Sequence, residues 1–244
     1  MKMKKKNTIT ARLIALIKFG IKLLLIYTTF NAFVILFFRI IPLPVSAFVY
    51  SNIDEPFKSL FKSDDTEHKP VAIDKISRYA VLAVIASEDQ RFFDHFGFDF
   101  EQIEKAMKEN VHRKRIRGAS TITMQVAKNM FLWSWKSFVR KGFEAYYTVL
   151  LELLWSKEGI IETYLNIAEM GKGIYGIQAA SKIYYRKDAE NLSVAEAAML
   201  AVVLPNPKKR DPRKPSRYLI RRRNEIIEQM NLLGGINFIK KEID

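Results

Sequence analysis

Residues 83–97 read Ala-Val-Ile-Ala-Ser-Glu-Asp-Gln-Arg-Phe-Phe-Asp-His-Phe-Gly. The acidic pair Glu88-Asp89 follows directly on an apolar run, Tyr79 to Ala86. A carboxyl at the end of a buried run loses water, which raises its pKa and suits it to proton transfer. The plain alternative is a helix end whose two acids are solvated.

A second group lies in Arg117-Gly-Ala-Ser-Thr-Ile-Thr-Met-Gln-Val-Ala-Lys-Asn129. Gly118 lets backbone approach a ligand, and Ser120 or Thr121 can cap the helix that follows. Gln125, Lys128 and Asn129 then share a face at i, i+3 and i+4. A helix start with a lysine suits a phosphate. A capped helix with a wet polar face explains the same residues without a ligand. Further on, Arg140, Lys141 and Glu144 head a long run into Val149-Leu-Leu-Glu-Leu-Leu-Trp155. Arg140 and Glu144 are i, i+4 neighbours. On a surface they make a weak ion pair, and at the head of a central helix they line a cleft. Glu162 and Asn166 stand one turn apart, and read first as polar groups satisfying buried backbone.

The elements needed to position these residues are helical. Lys136–Trp155 and Ile160–Met170 are long runs. Ser193-Val-Ala-Glu196 is a capping box opening an apolar run to Leu204, which Pro205-Asn-Pro207 ends. The stretch 216–233 is amphipathic and stops at Gly234-Gly235. Alternating strand-like segments are scarce, so the domain over 73–244 is expected to be mainly α, with any sheet small. Met130-Phe-Leu-Trp-Ser-Trp135, flanked by lysines, suits either a membrane interface or core packing.

Ahead of that domain, residues 1–41 carry eight basic residues and no acid, leaving 32 basic and 26 acidic residues in the rest of a chain of net charge +14. That imbalance reads as a membrane address rather than nucleic-acid binding. The stretch 19–41 is nearly all apolar and about 34 Å long as a helix, enough to span a bilayer. Lys22 and Arg39 can snorkel to its edges. The basic tail 1–18 should remain cytoplasmic, and the chain beyond the span should be exported. Residues 42–72, with four prolines, read as a linker. With no cysteine in the chain, disulfides and thiolate metal sites are excluded.

Five motifs in order over residues 80–207 resemble the glycosyltransferase family of peptidoglycan polymerases, the lysozyme-like transglycosylases. Glu-Asp-x-x-Phe-x-x-His-x-Gly is matched by Glu88, Asp89, Phe92, His95 and Gly97. Gly-x-Ser-Thr-Ile-Thr-Gln-Gln is matched from Gly118 to Gln125, with Met124 in place of the first glutamine. Arg-Lys-x-x-Glu is Arg140, Lys141 and Glu144. The fourth motif is met by Lys157, Ile160, Glu162, Tyr164, Leu165 and Asn166, and the last by 195–201. No penicillin-binding module follows before Asp244, so the chain resembles the monofunctional form.

The resemblance implies a lysozyme-like helical domain behind one transmembrane helix in the cell (inner) membrane. It implies glycan-strand polymerisation, in which the 4-hydroxyl of a lipid-linked disaccharide-pentapeptide (lipid II) attacks the anomeric carbon of the growing chain. Glu88 and Glu144 are then the catalytic acids, with Glu88 the base and Glu144 orienting cations or a bound metal. Asp89, Phe92, His95, Gly118, Ser120, Thr121, Gln125, Lys128, Asn129, Arg140, Lys141, Glu162 and Asn166 are the implied substrate-binding residues. Protein metal ligands are not expected; a divalent metal (Mg or Mn) travelling with the diphosphate is the one cofactor left open. The expected partners are lipid II, the growing strand, the membrane and other cell-wall synthesis or division proteins, without nucleic acid. A glycan hydrolase on the same fold uses two carboxylates too, but it has no need for Lys128, Arg140 and Lys141. A non-catalytic scaffold is the third reading.

Overall fold

The computed structural model describes residues 2–40, 70–111, 118–133 and 137–243. Most of the expected linker, together with Arg117, Trp135 and Lys136, lies outside the described residues. The chain divides into two compact units, residues 1–41 and 42–244.

The first unit is one helix, α1 (Lys2–Ile40). Its stretch Ile14–Arg39 is long and apolar enough to cross a membrane, and begins earlier than the Phe19 read from sequence. Polar side chains within it bond back to the helix. Thr29 Oγ1 donates to the Leu25 carbonyl and Asn31 Nδ2 to that of Tyr27, both at 2.8 Å. Such internal bonds reduce the cost of placing a polar side chain in hydrocarbon.

The second unit is mainly α, as expected. Its helices are α2 (Arg78–Glu88), α3 (Phe100–Asn110), α4 (Ile122–Phe131), α5 (Phe138–Leu154), α6 (Lys157–Ile167), α7 (Ile177–Tyr185), α8 (Val194–Val203), α9 (Arg217–Leu232) and α10 (Ile236–Ile243). One antiparallel ribbon, β1 (Glu169–Gly171) with β2 (Ile174–Tyr175), follows α6, pairing Glu169 with Tyr175 and Gly171 with Ile174.

Every residue of α2 from Ala80 to Ala86 is buried. A helix apolar on all sides must be surrounded, and α8, α9 and α10 pack on it. Alanines at 80, 83 and 86, and at 197, 198 and 201 on α8, are small enough to allow close approach. α8 opens with the expected capping box of Ser193 and Glu196. In a second cluster, α4 packs on α5 and α6. Met130 and Leu132 are buried there, Phe131 stacks on Tyr147 at 4.7 Å, and Trp133 meets the edge of Phe143 at 6.2 Å. The described part of that aromatic run therefore packs against the protein.

Residues 89–97 cross from the end of α2 to the second cluster. Gly97 has φ +76°, and a Cβ there would lie 2.6 Å from Thr148 Cγ2 on α5. Only glycine meets both demands. Gly97→Ala should lower the free energy of unfolding by at least about 1 kcal/mol, from the left-handed backbone alone. Thermal unfolding of the full chain in detergent checks this, and an unchanged midpoint contradicts it.

Candidate active site

Glu88 ends α2, and Asp89 is its C-cap. The buried Asp89 carboxylate spans to the second cluster: Oδ2 accepts from the Ile122 backbone N–H and Oδ1 meets His95 Nε2, each at 3.0 Å. Thr121 caps α4 by accepting from Met124 N–H at 3.2 Å, and its hydroxyl donates to the Gly97 carbonyl at 2.6 Å. The turn is clamped from below as well. Lys157 Nζ donates to the His95 carbonyl and to Glu152 Oε1, both at 2.7 Å, and sits 4.6 Å over the Phe92 ring. Thr123 also donates to Glu152 Oε1, at 2.6 Å.

These bonds leave the Glu88 carboxyl at the edge of a cleft of about 450 Å³. Its Oε2 accepts from Gln125 Nε2 at 2.9 Å, and Gln125 Oε1 accepts from the Tyr164 hydroxyl at 3.3 Å. Burial raises the Glu88 pKa above the ordinary value, and Asp89 adds to this; the Gln125 hydrogen bond, Arg222 and Lys128 oppose it. A carboxyl so tuned is suited to accept a hydroxyl proton.

On α5, Glu144 is buried and holds two cations. Arg140 Nη1 lies 3.0 Å from Oε2 and Lys141 Nζ 2.5 Å from Oε1. Lys128 joins this group to Glu88. Burial pulls its pKa down, Glu144 and Glu88 draw it up, and Arg140 and Lys141 push it down. Asn129 Oδ1 and Arg140 Nε are buried with no hydrogen-bond partner among the described residues. Buried polar atoms call for a partner; the Arg140 Nε–H and the neighbouring cations suit an anion, whereas Asn129 Oδ1 needs a donor. The donor set does not fit a protein-held metal. Both Glu144 oxygens are engaged by cations, and no group of three or more His, Asp or Glu side chains suited to an ion occurs among the described residues.

The expected residues therefore sort by place. Glu88, Asp89, Gly118, Ser120 and Thr121 line the cleft, and Gln125, Lys128, Asn129, Arg140, Lys141 and Glu144 form the adjoining wall and cation cluster. Four others do not line the cleft. Phe92 is wholly buried and His95 is turned onto Asp89. Glu162 accepts from Ile73 N–H at 2.7 Å, and Asn166 pairs with both backbone groups of Val71 at 2.9 Å. Glu162 and Asn166 bond backbone groups, while Phe92 and His95 pack inside the turn. Met124, the departure from the family pattern, is buried; an apolar residue suits that place.

Lys105 and Gln102 of α3 and Gln229 of α9, which no motif marks, also line the cleft, as does Arg222 of α9. Arg222 belongs to a basic run, 221–223, that from its residues suits either lipid headgroups or solvent; with α9 packed on α2, Arg222 lines the cleft.

The residues at 54–231 match the Transglycosylase family. Over 176 residues the chain is 54% identical to a biosynthetic peptidoglycan transglycosylase of Bacteroides thetaiotaomicron, covering 72% of this chain and 71% of that protein. It is 47% identical over 218 residues to one of Pasteurella multocida, covering 86% and 87%. A Haemophilus influenzae protein of the same name is 47% identical over 204 residues, covering 82% of each. The chain belongs to the transglycosylase family.

Lys157→Met strips a buried carboxylate, Glu152, of its cation, and the His95 carbonyl of its donor. Stability should fall by about 3 kcal/mol, the cost of breaking a buried pair. Lys157→Met with Glu152→Gln should recover part of it. Denaturant unfolding checks both, and a loss under about 1 kcal/mol in the single variant contradicts the clamp.

Proposed function

We propose that the chain extends peptidoglycan glycan strands from a lipid-linked disaccharide-peptide, as a membrane-anchored glycosyltransferase of cell-wall biosynthesis. Family membership supports the reaction class. The observation that carries the reading is the pairing of a desolvated carboxyl, Glu88, with the cations Lys128, Arg140 and Lys141.

The acceptor sugar enters by the cleft and offers its 4-hydroxyl to Glu88. The hydroxyl oxygen attacks the anomeric carbon of the donor strand, and Glu88 takes the proton. The bond from that carbon to the lipid diphosphate breaks, and the diphosphate keeps the electron pair. Lys128, Arg140 and Lys141 hold the growing charge. The leaving group departs as an anion, so no general acid is needed at that end. Glu144 keeps the cations aligned. One in-line displacement inverts the anomeric centre. A hydrolase leaves a neutral sugar hydroxyl and gives the cation cluster no work.

The lipid tail stays in the bilayer, which accounts for the span Ile14–Arg39. The N-terminus is cytoplasmic in this reading and the second unit faces the opposite side.

Incubation with lipid-linked disaccharide-pentapeptide should yield polymer and polyprenyl diphosphate. Consumption of substrate without polymer contradicts the reading. Arg140→Ala should lower kcat about a hundredfold, by loss of a fixed charge at the leaving group, and Arg140→Lys should recover only part, because it lacks the forked geometry. Normal polymerisation by Arg140→Ala removes the diphosphate assignment.

A further inference from the structure

Gln125 stands between Glu88 and Tyr164. Its Nε2 donates to Glu88 Oε2 and its Oε1 accepts from the Tyr164 hydroxyl. Tyr164 is 1% exposed. Burial first, then the Glu88 and Asp89 charges, push its ionisation well above the usual tyrosine value. It stays neutral and has one proton to give. The bonds run one way, from tyrosine O–H to amide oxygen and from amide N–H to carboxylate. A chain aligned in this direction strengthens each member, and it matches an ionised Glu88. A protonated Glu88 accepts less well and leaves the chain weaker.

We propose that Tyr164 is a positioning residue for the transfer reaction. Through Gln125 it holds Glu88 charged and keeps Oε2 turned into the protein, so that Oε1 receives the acceptor proton. The inference rests on Glu88 being the base. The other charges facing Glu88 are Asp89, which disfavours the charged form, and Arg222 of α9 and Lys128 of α4, which favour it. The Tyr164 hydroxyl donates to Gln125, so it acts by way of that amide.

A base works when ionised, so the rate falls as pH drops through its pKa. Gln125 lowers that pKa against burial. Removing the Tyr164 hydroxyl weakens the chain, raises the pKa and moves the acid limb of the rate profile to higher pH.

The test is the pH–rate profile of the full chain in detergent on lipid-linked disaccharide-pentapeptide. Tyr164→Phe should slow turnover on the acid limb by about threefold or more, the factor an ordinary hydrogen bond supplies. Its rate at the alkaline plateau and its KM should stay near the parent's. Gln125→Met, at a half-buried position, should shift the limb the same way, and Tyr164→Phe should add nothing in that background. An acid limb that stays in place in Tyr164→Phe overturns the proposal, whatever its melting point. Should that variant not fold, an unmoved limb in Gln125→Met overturns it equally. Additive shifts in the double variant also overturn it. A parent profile flat toward acid removes Glu88 as base, and is told apart by the parent alone.

Discussion

A carboxylate at the dry end of an apolar helix is expensive to keep charged, and much of this fold answers that cost. α2 is buried on every side through Ala86, and two acids follow within three residues. Asp89 meets the cost with a backbone N–H and a histidine. Glu88 receives one amide hydrogen bond and distant cations, which leaves its pKa raised. The unequal treatment of neighbours divides their work. Asp89 is a fastener, and Glu88 is left suited to proton exchange.

The same fastener joins the two helix clusters. Asp89 reaches Ile122 at the start of α4, Thr121 reaches back to Gly97, and Lys157 of α6 grips His95. Three bonds from two helices, α4 and α6, thus fix a nine-residue turn, 89–97. With that turn fixed, α4 carries Gln125 to Glu88 and Lys128 toward the α5 cations. Glu88 and the cation cluster are set by one set of bonds, so a change in the turn disturbs both.

Much of this is legible in the residues. The capping box at Ser193, the Thr121 cap and the i, i+4 pair of Arg140 and Glu144 are local, and appear where spacing puts them. The acid pair after an apolar run lies at the cleft. Roles that depend on long-range packing are not legible. Phe92 and His95 sit beside the acids in sequence, yet they face the core because Lys157, 62 residues from His95, holds the turn inward. Arg222 reads as one of three exposed arginines until α9 is laid on α2. Tyr164 is marked by its motif, but that its hydroxyl meets Gln125, 39 positions away, depends on packing.

The central claim is that Glu88 takes the acceptor proton. Glu88→Gln keeps the side chain's size and its place beside Gln125 while removing its ability to accept that proton. The account predicts that strand polymerisation falls about a hundredfold or more, the usual weight of a general base, with thermal unfolding no worse than the parent's. Polymerisation within about threefold of the parent contradicts it, since a base of that weight cannot be removed so cheaply.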